Sequence, residues 1–354
     1  MASKTPWAFA IALLLVAGLE VFLQLAVPAD EFPVRREIRQ SAAFHRVLAA
    51  DGAPEIAFVG ASLMRRGVVV PEISAALQAA TGREWTVANY GHHDAQAEFV
   101  EDMVLALMAD DTPSQVVLYG VSPLQLNRSG FREHTSQLWG MSDLRREWGQ
   151  RGTEVLGDVP QVLHNELKHH FRLPQLRHER VAWFKRIAFG IPFQKTPLRG
   201  GIYHVSPGSK ANLVDHPPTL DTPGFLALKR RIDRATDDGR WLMSDQLIAH
   251  MKGVAAACEA NGAKLVYFEI PFHRTLEHLL APNAYPDFYA QMEAISEETG
   301  APFVPFSELG LTFTDAHFSD EAHLNLDGAS MMTAPVMEHV IARAWPATES
   351  ITTE

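Results

Sequence analysis

The chain of 354 residues has one cysteine, Cys258, so no internal disulfide can staple it, and cysteine usage neither favours nor opposes an oxidising compartment. Cys258 falls inside a helix-like stretch, where it reads as an inert core thiol. Basic residues are also in short supply. Lys and Arg number 31 against 42 Asp and Glu, a formal charge of -11 that argues against a phosphate-neutralising surface and a nucleic-acid partner. There is no internal repeat and no low-complexity tract. No zinc motif such as His-Glu-x-x-His occurs. His317, Asp320 and His323, with His92 or His93, are ligand types without ligand spacing, so no metal or other cofactor is expected.

What is present is a globular composition, 47% hydrophobic and 21% charged, long enough for one large domain or two smaller ones. Trp7 to Val27 is an almost uninterrupted apolar run, long enough to cross a ~30 Å hydrocarbon core. Glu20 and Gln24 weaken insertion without reversing it. The run reads as an uncleaved single-pass anchor. A cleaved signal peptide ending near Val27-Pro28-Ala29 and a helix docked on the protein itself are the alternatives. Lys4 and the amino terminus lie on one side, and Arg35, Arg36 and Arg39 beyond Asp30 and Glu31 on the other, a near balance. First segments usually enter N-in, C-out, which puts the remainder outside the cytoplasmic membrane. Residues 1–33 are thus expected to be anchor and linker, and 34–354 the globular domain.

Arg35 to Ala50 reads as a helix leading into that domain. Short apolar runs at Ile56 to Val59, Trp85 to Asn89, Gln115 to Tyr119, Lys264 to Ile270 and Phe303 to Phe306 predict buried parallel strands. Between them, Ala95 to Met108, Trp241 to Asn261, Tyr285 to Thr299 and Asp327 to Trp345 carry helical spacing, with Gly262 and Gly300 as helix stops. The alternation predicts a three-layer, flavodoxin-like α/β/α fold with a mainly parallel sheet of five strands. Residues 126–239 break the rhythm and read as an insertion over the strand carboxyl ends, either a lid or substrate-reading element or mere packing. Its basic patch, Lys168-His169-His170 with Arg172, Arg177 and His178, fits a solvated helix face better than a site for an anionic polymer.

Gly60-Ala61-Ser62-Leu63 follows the first strand directly, which sets Ser62 at a strand-to-helix turn where a hydroxyl is exposed and a helix-start amide can hold an oxyanion. By itself such a serine more often caps a helix. Asp320 and His323, before the last helix, alter that balance. On a loop or one helical turn, Asp-x-x-His puts a carboxylate beside an imidazole, whose other nitrogen can face a serine. Asp315-x-His317 is a competing pair.

With a Gly-x-Ser after strand one and an Asp-x-x-His near the C-terminus, the sequence resembles the SGNH, or GDSL-type, hydrolase superfamily. The resemblance spans about Glu55 to Leu124 and Gly262 to Ala344. It implies Ser62 as nucleophile, His323 as base and Asp320 as its partner, acting through an acyl-enzyme. Asn89-Tyr90-Gly91 matches a second block, implying that the Gly91 amide joins the Ser62 amide in the oxyanion hole. A third block, usually Gly-x-Asn-Asp, is Gly120-Val121-Ser122-Pro123 here. Ser122 or Asn127 could replace the missing Asn, or the hole could rest on the two amides. His92, His93 and Asp94 are expected near the site, touching substrate or hydrogen-bonding to the groups that do.

The layout is similar to divergent membrane-anchored members, the D-alanyl-lipoteichoic acid transfer protein and the alginate O-acetylation proteins, which work beside membrane-bound O-acyltransferases. Some alginate-acetylation relatives use an Asp-x-His pair. The expectation is an O-acyltransferase or esterase acting on an acyl ester or a glycan, with such an acyltransferase as partner. A plain carboxylesterase or lipase, and a non-catalytic scaffold, are the alternatives.

Overall fold

The computed structural model describes Gly18, Phe44, Leu48 and residues 51–92, 95–127, 229–230, 232–233, 236–320 and 322–344. The chain divides into two compact units, Met1–Ala43 with Ser136–Arg199, and Phe44–Thr135 with Gly200–Glu354. All described residues except Gly18 belong to the second.

Five strands make one wholly parallel sheet: β1 (Ile56–Gly60), β2 (Val87–Asn89), β3 (Val116–Val121), β6 (Lys264–Glu269) and β7 (Phe303–Val304), in the order β2-β1-β3-β6-β7. Every β1 and β3 residue is buried, which is why these strands read as continuous apolar runs rather than alternations. Helices α3 (Ala97–Met108), α4 (Asp245–Ala260) and α5 (Ala284–Thr299) cover Val59, Val117, Tyr119 and Tyr267 on one face. On the other, α1 (Ser62–Gly67), α2 (Val70–Thr81) and α6 (Leu326–Pro335) cover Ile56, Phe58, Leu118 and Phe268. From β1 the chain passes first to β2 on one side and then to β3 on the other. The strand order therefore reverses beside β1, and the carboxyl edge there is where open α/β sheets hold ligands.

Several boundaries differ from the sequence expectations for local reasons. Trp85 stays out of β2, because its indole N–H donates to Thr81 Oγ1 at 3.0 Å and Arg83 stacks on its ring. β7 stops at Val304, where Pro305 offers no N–H to the ladder. Trp241 closes a small hairpin of β4 (Thr236–Asp237) with β5 (Arg240–Trp241), so α4 starts only after the Ser244 cap, whose hydroxyl accepts from Leu247 N–H. The final helix is not one α-helix. Past Pro335 it widens to a π-helix over Val336–Ile341, ending in a short α segment, Ala342–Ala344. A proline inside a helix removes a backbone donor, and such turns often relax into wider ones. Helix α2 has no counterpart among the sequence expectations; its Val68-Val69-Val70-Pro71 start hides the periodicity that follows.

The insertion enters and leaves the core at adjacent points. Asn127 bridges Met243, and Ser244 N–H donates to Leu126 O at 2.9 Å. Residues 128–228 lie outside the described residues, as do the basic patch at Lys168 to His178, nearly all of the helix expected over Arg35 to Ala50, and, apart from Gly18, the apolar run Trp7 to Val27. Among the described residues, no helix is long and apolar enough to cross a membrane.

At the end of β6, buried Glu269 accepts hydrogen bonds from Tyr289 Oη at 3.0 Å and Phe306 N–H at 2.9 Å. Burial raises its pKa, and the two hydrogen bonds oppose that rise. The contact fixes the start of the long segment that runs from β7 to α6 and carries Asp320 and His323.

Candidate active site

Gly60 has φ +146°, and a Cβ there would lie 2.7 Å from Gly120 O, so only glycine fits the exit from β1. Ala61 occupies the N-cap of α1 without a side-chain capping bond, and Ser62 is the first helical residue. Its hydroxyl does not cap the helix; Ser62 Oγ lies 2.8 Å from His323 Nε2.

The Asp-x-x-His segment is a tight loop closed by an antiparallel bridge between Phe318 and Leu324 and by Ser319 N–H donating to His323 O at 2.8 Å. Within it Asp320 Oδ1 accepts from the N–H groups of Ala322 and His323, each at 2.9 Å, the self-capping habit of a short carboxylate in a turn. The same oxygen lies 2.7 Å from His323 Nδ1, and Oδ2 lies 2.9 Å from it. An N–H on Nδ1 satisfies that carboxylate and leaves Nε2 as the acceptor for the Ser62 hydroxyl. Asn325 secures the far end. Its Oδ1 accepts from Gly328 N–H at 3.0 Å at the start of α6, and its Nδ2 donates to Ala316 O at 2.6 Å.

Burial alone would raise the Asp320 pKa, but the hydrogen bond and charge of His323 and the two loop amides outweigh it and hold the group at about 2. The carboxylate is thus ionised throughout the neutral range. Its stabilising contribution is complete above its ordinary value of 3.8 and is lost as pH falls towards about 2.

Gly91 departs from the role implied by resemblance. Its N–H donates to Asn89 Oδ1 at 2.8 Å, while Asn89 Nδ2 donates to Met64 O at 3.0 Å, so the amide expected at an oxyanion is already committed to a clamp between β2 and α1. Glycine is required there for packing, since a Cβ would fall 2.2 Å from Arg65 N. Gly91→Ala is therefore expected to destabilise the domain by roughly 2 kcal/mol or more through forced backbone displacement, seen as a lower urea midpoint or Tm. An unchanged midpoint would contradict this close approach.

The other expected residues are placed as follows. Ser122 is wholly buried two residues beyond Gly120, the register partner of Gly60 at the carboxyl edge of the sheet. Among the described residues its hydroxyl has no hydrogen-bond partner. Asn127 is buried at the bridge to Met243. His92, expected to meet substrate, is only 5% exposed and packs on the Phe99 ring at 4.3 Å. His93 and Asp94 lie outside the described residues. The competing pair does not form a relay: Asp315 accepts from His273 Nε2 at 3.1 Å and Arg274 Nη2 at 3.0 Å, while His317 Nδ1 accepts from Thr314 N–H. Cys258 is buried, and burial pushes its thiol up to about 12. Among the described residues there is no group of three or more His, Cys, Asp or Glu side chains able to hold a metal ion.

Arg66 is the site residue that sequence reasoning missed. Its Nη1 donates to Ser319 Oγ at 2.8 Å and lies 3.3 Å from Asp320 Oδ2. The available signal was its place four residues after Ser62, one helical turn along the same face.

No family model matches the chain, and no curated protein matches it. Among solved structures, TesA is 12% identical with a TM-score of 0.40, covering 80% of this chain and 96% of its own. A catalytic mutant of an acetylxylan esterase from Geobacillus stearothermophilus is 11% identical with a TM-score of 0.36, covering 85% and 95%.

Proposed function

We propose that the protein is an SGNH-type serine esterase or O-acyltransferase that works through an acyl-enzyme on Ser62. The observation that carries this reading is the continuous connection from Ser62 Oγ through both nitrogens of His323 to Asp320. In the proposed reaction His323 Nε2 takes the Ser62 proton as Oγ bonds to the acyl carbonyl carbon. Collapse of the tetrahedral adduct breaks the ester C–O bond, and the imidazolium returns its proton to the departing alkoxide. Water or a sugar hydroxyl then releases the acyl group by the reverse proton path. The Ser62 amide, in the first turn of α1 where N–H groups have no intrahelical acceptor, and the Ser122 hydroxyl are the proposed oxyanion donors.

Transfer to an exported or cell-surface polysaccharide is the preferred form of this activity. Its support is the apolar run Trp7 to Val27, which would hold an extracytoplasmic domain at the inner membrane beside an acyl donor and a membrane-bound O-acyltransferase. A non-catalytic scaffold is the second reading, favoured by the committed Gly91 amide and the serine in the third block. Full-length protein in detergent, given an aryl acetate with and without soluble glycan, separates these. Faster release of the aryl alcohol with glycan, together with O-acetylated glycan, supports transfer. Release unaffected by glycan points to a plain esterase, and no release from folded protein favours the scaffold.

A further inference from the structure

We infer that Arg66 is a positioning residue of this site, a two-point clamp that holds the acid–base loop against the helix bearing the nucleophile. The inference rests on the acyl-transfer reading above. Ser62 and Arg66 stand one turn apart on α1, so a single short helix presents both the hydroxyl and the guanidinium to the loop of residues 318–324. From there Arg66 reaches two different parts of that loop.

Towards the carboxylate, Nη1 lies 3.3 Å from Asp320 Oδ2, while Oδ1 is engaged by two loop amides and by His323. Towards the main chain, Nη1 donates to Ser319 Oγ, and that hydroxyl in turn donates to His323 O at 3.2 Å. The arginine thereby fixes both the acid and the backbone of the base. The His323 ring adds a further link from the same helix, through Ser62. Arg66 and Asp320 are each 36% exposed in their side chains, so the pair is partly solvated. Its value lies in geometry rather than in global stability, because half-exposed ion pairs contribute little to folding. Small displacements of a base from its nucleophile have large rate effects.

The test compares rates of fluorophosphonate labelling in the full-length, detergent-solubilised protein. Arg66→Ala is expected to slow the covalent step about tenfold to a hundredfold, the usual range for losing a charged group that orients a reactive one, with probe affinity unchanged. Free guanidinium at a sub-denaturing concentration should restore part of that rate, whereas equal ionic strength of sodium chloride should not. Ser319→Ala is expected to slow labelling less, and non-additively with Arg66→Ala, because both act through one hydrogen bond.

Arg66→Lys is the second variant, in case the alanine protein does not fold. Both contacts come from the single nitrogen Nη1, and an ammonium on a shorter stem keeps the charge but not the reach, so an intermediate rate is expected. Labelling of Arg66→Ala or Arg66→Lys at the wild-type rate would overturn the inference while leaving the serine chemistry intact. So would a loss in folded Arg66→Ala that guanidinium leaves untouched. Wild-type protein that takes no label overturns the acyl-transfer reading itself, and this inference with it.

Discussion

His323→Ala is expected to lower ester turnover by about 10⁴-fold or more while the protein keeps its fold, and Ser62→Ala by a similar factor. The reason is that the two side chains act as one unit. Ser62 Oγ has the His323 Nε2 lone pair at 2.8 Å, and without it the hydroxyl must lose its proton to water near neutral pH. The double variant should be little slower than either single one, because removing the second member of a broken relay removes nothing further. His323 has a 17% exposed side chain in a loop also held by Asn325 and the Phe318–Leu324 bridge, so its truncation should lower Tm modestly, through the lost contact with Asp320, without unfolding the domain. Steady-state release of an aryl alcohol measures the first effect and thermal unfolding the second. An alanine variant retaining a tenth of wild-type turnover would remove His323 from the chemistry.

The second large effect is expected at Asp320→Asn, a loss of about 10³–10⁴-fold in turnover. The asparagine keeps the shape, and its Oδ1 can still accept the N–H groups of Ala322 and His323. Its amide nitrogen, however, can only donate. Turned towards His323 it favours the tautomer with the proton on Nε2, which cannot take the Ser62 proton. It also loses the charge beside Arg66. The pH dependence offers a further check. Because Asp320 is held at about 2, it stays ionised above about pH 4, and no acid limb of wild-type activity in that range should come from this carboxylate. Activity of Asp320→Asn should rise as pH increases and hydroxide begins to substitute for the missing base. A variant with wild-type turnover at neutral pH would show that the carboxylate does not orient the imidazole.

Much of the architecture was legible because buried parallel strands announce themselves. Ile56–Gly60 and Val116–Val121 are apolar runs, Lys264–Glu269 is apolar between its two charged ends, and most of the helices between them carry clear periodicity. Legibility failed where side-chain bonding or proline set the boundary, as at Trp85, Pro305 and Pro335. Helix α2 was hidden behind β-branched residues at its start, which favour strand on local propensity.

For the site, Ser62, Asp320 and His323 could be singled out because strand-end position and three-residue spacing restrict what those side chains can reach. Geometry then brought all three together. Gly91 shows the limit of that reasoning. A glycine next to a nucleophile invites a role for its amide, and only coordinates reveal that Asn89 already accepts that N–H and that Arg65 N excludes a side chain. Arg66 was missed because its partners lie more than 250 residues away, a separation no local pattern encodes.

The most direct measurement of the central claim is mass spectrometry of the folded, full-length protein after exposure to a fluorophosphonate. The account predicts one adduct, on the peptide containing Ser62, absent from Ser62→Ala and reduced by orders of magnitude in His323→Ala. Folded wild-type protein that takes no adduct, or takes it on another residue, would contradict it.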